Sequence, residues 1–148
     1  MVQFSGGSRI TIDKSPINSV PTSLSYGGGG TQFHPASIKA CQLARETPQS
    51  HTPLIVFMSD GGAGDASAAA QQFSALNTSV LQSSGQDLQL HVISFGGGTD
   101  QAQLNLIANA SKTGKVHTSA NISDLANVFV NIASTQDVTT LLEPEVAK

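Results

Sequence analysis

The run Leu54-Ile55-Val56-Phe57-Met58-Ser59 leads straight into Asp60-Gly61-Gly62, and this junction restricts the possible folds more than any other feature of the chain. A wholly apolar run of strand length, bounded by turn residues, reads as a central parallel strand buried on both faces. In open α/β sheets ligands bind at the carboxyl ends of such strands, so a carboxylate at position 60 stands where a site forms. Upstream, Gly27-Gly28-Gly29-Gly30-Thr31 makes a second glycine-rich loop that ends in a hydroxyl and leads into a helix with Pro35 in its first turn. Thr31 and Asp60 are therefore expected to crown one edge of a sheet.

The rest of the chain alternates in a way that supports a parallel sheet. Residues 2–4 read as a strand, Gly6-Gly7 as a turn and residues 9–12 as a return strand, giving a hairpin at a sheet edge. Residues 13–26, with Pro16 and Pro21, read as irregular. Residues 35–45 follow as a helix with Ile38, Cys41 and Leu43 or Ala44 inward. After the strand at 54–58, residues 66–83 carry Phe73, Leu76, Val80 and Leu81 three or four apart, one buried helical stripe. A strand at 88–95, a helix through Leu104, Ile107 and Ala108 capped by Thr99 or Asp100, and a strand at 115–118 come next. A last helix, with Ser123 as its cap, points Leu125, Val128, Phe129 and Ile132 inward. Strand, helix, strand, helix, strand, helix predicts a mostly parallel sheet with helices on both faces, a three-layer Rossmann-like α/β fold. Residues 1–135 form that domain, and residues 136–148, without clear period, read as a tail or linker.

Composition narrows the function classes. A length of 148 residues suits one domain with a single core. Seven basic residues against ten acidic give a net charge of −3, and the basic residues are scattered, so no basic stripe suits nucleic acid. Cys41 is the only cysteine, which excludes an intrachain disulfide and thiolate-rich metal sites and reads as a small apolar helix residue. No run approaches the ~20 apolar residues of a membrane span and no signal peptide opens the chain, so an intracellular protein is expected.

Phe4-Ser5, Gly28-Gly29-Gly30-Thr31, residues 55–61, Val92-Ile93-Ser94-Phe95-Gly96 and the helix opened by Ser123-Asp124-Leu125 appear in the order and spacing of one family. Together they resemble the von Willebrand factor type A (vWA) domain over nearly the whole chain to about residue 134. The resemblance implies a metal-ion-dependent adhesion site, in which three loops hold Mg²⁺, or Mn²⁺ or Ca²⁺, and a partner's acidic side chain completes the shell. Thr31 matches the second of those loops and Asp60 the third. Hard oxygen donors of this kind suit Mg²⁺, which prefers an octahedron and keeps positions for water or an incoming carboxylate.

The family's first loop, Asp-x-Ser-x-Ser, has no counterpart. Asp13-Lys14-Ser15 runs into Pro16-Ile17, and Asp65-Ala66-Ser67 into Ala68-Ala69. The resemblance thus implies a domain that begins at the family's second strand, with the first strand, its motif and the first helix missing, and with metal affinity weak or absent. In a doubly wound sheet that strand is central. A strand of ~5 residues buries ~3 to 5 side chains at roughly 1.5–3 kcal/mol each, comparable with the ~5–15 kcal/mol stability of a whole domain. Two inner strand edges are then left open, and the chain is expected to be marginal, to self-associate, or to pair those edges directly.

The same residues admit other readings. Asp60 can cap the helix that follows it, and Thr31 can cap its own. A phosphate loop at residues 27–31 lacks the Lys that Walker A requires, Gly30 standing in its place. Neither Ser59 nor Ser94 sits in a Gly-x-Ser-x-Gly elbow. His34, His51, His91 and His117 show no short metal-ligand spacing and read as packed or surface residues, and Asp65 and Ser67 as solvated helix-start residues. The expected function is capture of another protein through a cation and an acidic side chain, not catalysis. The alternatives are a nucleotide-using or hydrolytic α/β enzyme, and a metal-free docking module that offers an open sheet edge to a partner strand.

Overall fold

A computed structural model describes residues 1–10, 17–19 and 29–135 of the chain. Two short strands, β1 (Val2–Phe4) and β2 (Ser8–Ile10), precede a 3₁₀ turn at Ile17–Ser19. There follow α1 (His34–Arg45), β3 (Leu54–Ser59), α2 (Ala66–Ser84), β4 (Gln89–Phe95), α3 (Gln101–Ala108), β5 (Lys115–Ser119) and α4 (Ile122–Ser134). The expected segments at 11–16, 20–28 and 136–148, including Gly27, Gly28 and the tail, lie outside the described residues.

Strands β3, β4 and β5 form a parallel sheet in that order, with Phe57 opposite Val92 and Val92 opposite Val116. Leu90 and Val92 of β4 join Phe57, Phe73, Leu76, Val80, Leu104 and Ile107 in the main core, on the face covered by α1, α2 and α3. Ile93 and Val56 point the other way and pack against Leu125, Val128 and Ile132 of α4. This period-two division explains why β4 carries apolar residues on both of its faces, since each face has helices to bury against. The mixed α/β architecture with helices on both faces is therefore as expected.

The hairpin forms a separate two-stranded sheet, not the edge of the larger one. It is held by side chains: Phe4 stacks on Phe57 with centroids 5.2 Å apart, and Phe33 meets both rings edge-on at 6.0 and 5.1 Å. The Lys39 ammonium also donates to the Ser8 carbonyl. Among the described residues β1 pairs only with β2 and β3 only with β4, so the two inner edges do not pair directly.

Several sequence expectations are corrected. Among the described residues the run at 54–59 is the outer strand of its sheet, not a central one, and its Leu54 and Met58 are 44% and 43% exposed. In α1 Cys41 is buried as expected, together with Ala36 and Ser37, but Ile38 faces solvent; the helix is rotated to meet α2 and the Phe cluster. Leu81 is likewise exposed on α2. Asn121, not Ser123, caps α4 by accepting the Asp124 N–H at 2.9 Å, and Phe129 stands half out of the α4 core.

Candidate functional site

Between β1 and β3 runs a cleft of about 990 Å³. One wall is the segment Met1 to Ser5, the other Leu54 to Asp60. Ala36, Ala40, Leu43 and Ala44 of α1 line one side and Phe129 of α4 contributes from another element, while Gly29, Gly30, Thr31 and Phe95 also border it. Thr31 and Asp60 thus line the same cleft, and both are exposed.

Three loops are tied together around these two residues. The Ser5 carbonyl, at the end of β1, accepts the Gln32 N–H at 2.8 Å, which anchors the residue next to Thr31. The Asp65 carboxylate accepts the Phe33 and His34 N–H groups, each at 2.9 Å, one on each oxygen. Phe33 occupies the N-cap position of α1 and its own side chain offers no acceptor, so the cap is delivered from the loop after β3. The Gln103 amide oxygen accepts the Ala63 N–H at 2.6 Å, tying the same loop to α3. Gly62 is required at this contact, because a Cβ there would lie 2.9 Å from the Asp100 Cβ.

These bonds decide several roles left open by sequence. Thr31 and Asp60 do not cap helices: α1 is capped by Asp65, and Asp65 itself holds the N-cap position of α2 without a side-chain bond to it. Asp65 is a structural tie, not the solvated helix-start residue expected. With both its oxygens engaged by backbone N–H groups, it is not a free cation ligand. Asp60 makes no hydrogen bond among the described residues and keeps its carboxylate available. The sequence shows Asp65 only as a residue ahead of an apolar helix; its partners, 31 and 32 positions away, carry no local signal.

A second polar arrangement lies on the α4 face. His91 of β4 and His117 of β5 meet with Nδ1 and Nε2 3.0 Å apart, their rings inclined by 29°. Parallel register brings them together, since Ile93 is the partner of His117 and His91 lies two residues earlier on the same face. His91 is 6% exposed, and its Nε2 has no hydrogen-bond partner among the described residues. Burial holds both imidazoles below the usual histidine range; Lys115 adds to this for His91, and His91 followed by Lys115 for His117. Cys41 is buried with its thiol pushed up to about 11, mainly by desolvation, which makes it inert.

Comparison of the chain with protein families, characterised proteins and solved structures finds no match. Among the described residues there is no group of three or more His, Cys, Asp or Glu side chains that could hold a metal ion. Thr31 and Asp60 fit a hard cation in donor type but supply only part of a six-oxygen shell. Among the described residues no helix is long and apolar enough to cross a membrane.

Proposed function

We propose that this chain is a protein-binding domain of vWA type, in which Thr31 and Asp60 hold a divalent cation that captures an acidic side chain of a partner. The observation that carries this reading is that both residues line one cleft, with Asp60 free of hydrogen bonds among the described residues. A carboxylate left free at the mouth of an apolar cleft is suited to a cation and unsuited to an apolar ligand alone.

Asp60 would hold the ion directly or through water, and Thr31 would add a hydroxyl or a water-linked oxygen. Water and the partner's carboxylate make up the remainder. A bound Mg²⁺ supplies positive charge that an acidic group can complete, and the affinity for the ion alone is weak because Thr31 and Asp60 supply only part of its oxygen shell. The tie from Asp65 to α1 keeps the Thr31 and Asp60 loops in one place, which limits the ordering cost when an ion arrives.

Calorimetric titration with Mn²⁺ and Mg²⁺ tests the reading. Wild type should bind, Asp60→Ala should lose that binding, and the heat of binding should grow when a Glu-containing peptide is present. Equal binding by wild type and Asp60→Ala would refute the cation site, and saturable binding of a nucleotide in equilibrium dialysis would favour the enzymatic alternative instead.

A further inference from the structure

We infer that His91 and His117 form a two-imidazole site for a divalent transition metal, Cu²⁺ foremost and Ni²⁺ or Zn²⁺ after it. The site is separate from Thr31 and Asp60 and rests on the geometry of two neighbouring strands, not on the vWA reading.

Imidazole nitrogen suits Cu, Ni and Zn, whereas Mg²⁺ and Ca²⁺ prefer oxygen. Two such donors meet here. His91 lies on β4, the middle strand of the three, and His117 on β5, and parallel register sets them diagonally on one face. Their ring centroids are 5.2 Å apart and the nearest nitrogens 3.0 Å, so the facing nitrogens lie between the rings. With nitrogens 3.0 Å apart, an ion at the usual distance of about 2.0–2.1 Å from each sees them at roughly 90–100°. That matches adjacent ligands in a tetragonal Cu²⁺ or Ni²⁺ complex, while a tetrahedral Zn²⁺ would need the rings to part slightly.

Without metal, one ring donates its N–H to the other. The ion takes the place of that hydrogen, which moves to the outer nitrogen of its own ring, His91 Nε2 or His117 Nδ1. Both rings stay neutral and no net proton is released. Burial already keeps both imidazoles below the usual histidine range, so near neutral pH no extra proton competes with the ion. His91 Nε2 has no partner among the described residues that would fix the hydrogen on one nitrogen of that ring.

The surroundings set the strength. His91 is 6% exposed on the middle strand, so little side-chain freedom is lost on binding, and the half-buried His117 gives the ion access from solvent. The Lys115 ammonium opposes a dication: Lys115 is the strand partner of His91 and its charge acts on both rings. The face is otherwise apolar toward α4, with Leu125, Val128 and Ile132 packed on Ile93 and Val56.

The test uses the full chain carrying His34→Gln and His51→Gln, which leaves this pair of its four histidines. At about pH 7.5, above the ordinary histidine pKa, calorimetry should show one saturable Cu²⁺ per chain. Electron paramagnetic resonance should show nitrogen splitting from two imidazoles, which the amino terminus does not give. His91→Gln and His117→Gln should each weaken binding about tenfold or more and remove the two-imidazole signature. Lys115→Gln should tighten binding by about threefold, a change that a purely structural role would not produce. Ni²⁺ and Zn²⁺ should compete with Cu²⁺, and Mg²⁺ should not. Absence of saturable Cu²⁺ binding, a one-imidazole spectrum, or affinity indifferent to His117→Gln would leave the pair a plain hydrogen bond and overturn the inference. His117 and Lys115 are the more exposed residues, so their variants decide the matter if His91→Gln misfolds. Asp60→Ala should leave Cu²⁺ binding unchanged; its loss there would place the ion at the cleft and overturn the inference. Absence of Mg²⁺ binding with Cu²⁺ binding intact would remove the Thr31 and Asp60 reading alone.

Discussion

The Asp65 carboxylate accepts the Phe33 N–H at 2.9 Å and so caps a helix that begins 31 residues before it. One side chain thereby joins the loop after β3 to the loop that carries Thr31. The arrangement ties together the loops at both borders of the cleft although, among the described residues, β1 and β3 belong to separate sheets.

Removing that tie should cost stability without touching the cleft lining. Asp65→Ala should destabilise by about 1–2 kcal/mol, in the range of lost helix caps, with Asp65→Asn milder because one acceptor oxygen survives. Denaturant midpoints at constant slope measure it. A midpoint unchanged in Asp65→Ala would show that α1 does not depend on this cap.

Asp60 should behave in the opposite way. It is exposed and makes no hydrogen bond among the described residues, so Asp60→Ala should change stability by no more than about 0.5 kcal/mol. A midpoint lowered well beyond that in the absence of metal would reveal a structural role.

The histidine pair gives a pH dependence of defined sign. Burial lowers both pKa values below the ordinary 6.5, with Lys115 adding to it for His91 and His91 followed by Lys115 for His117. The unfolded chain then binds protons more readily than the folded one, so this stability is fully present above 6.5 and falls as pH drops below it toward the folded values. Thermal midpoints from pH 7 downward should decline, and His117→Gln should flatten the slope in that window. An unaltered slope in the variant would place the titration elsewhere.

Strand β3 should show a steep contrast between its two faces. Phe57 is 5% exposed within the aromatic cluster, so Phe57→Ala should cost about 3–5 kcal/mol. Leu54 is 44% exposed beside the cleft, and Leu54→Ala should cost about 1 kcal/mol or less. Similar losses at both would mean that the outer face of β3 is buried in solution.

Gly114 is held by close packing. A Cβ there would lie 1.6 Å from the Ala108 carbonyl oxygen, which is backbone and cannot swing aside. Gly114→Ala should therefore destabilise by about 1–3 kcal/mol or more, read from urea unfolding.

Local pattern in the sequence was enough to find the helices and strands that alternate from residue 34 to 134, and with them the parallel α/β class, because hydrophobic period reflects which side of each element meets a neighbour. It also singled out Thr31 and Asp60, whose place at loop ends follows from glycine-rich turns on either side. What sequence could not supply was anything that depends on how elements rotate and which edges meet. Ile38 looked inward by spacing, but α1 turns its Ala36, Ser37 and Cys41 face to the core. Residues 54–59 looked central, but only the assembled sheet reveals that β3 is its outer strand among the described residues. The Asp65 cap and the His91–His117 pair join residues 32 and 26 positions apart, where chain connectivity imposes no geometry and packing alone brings the atoms together.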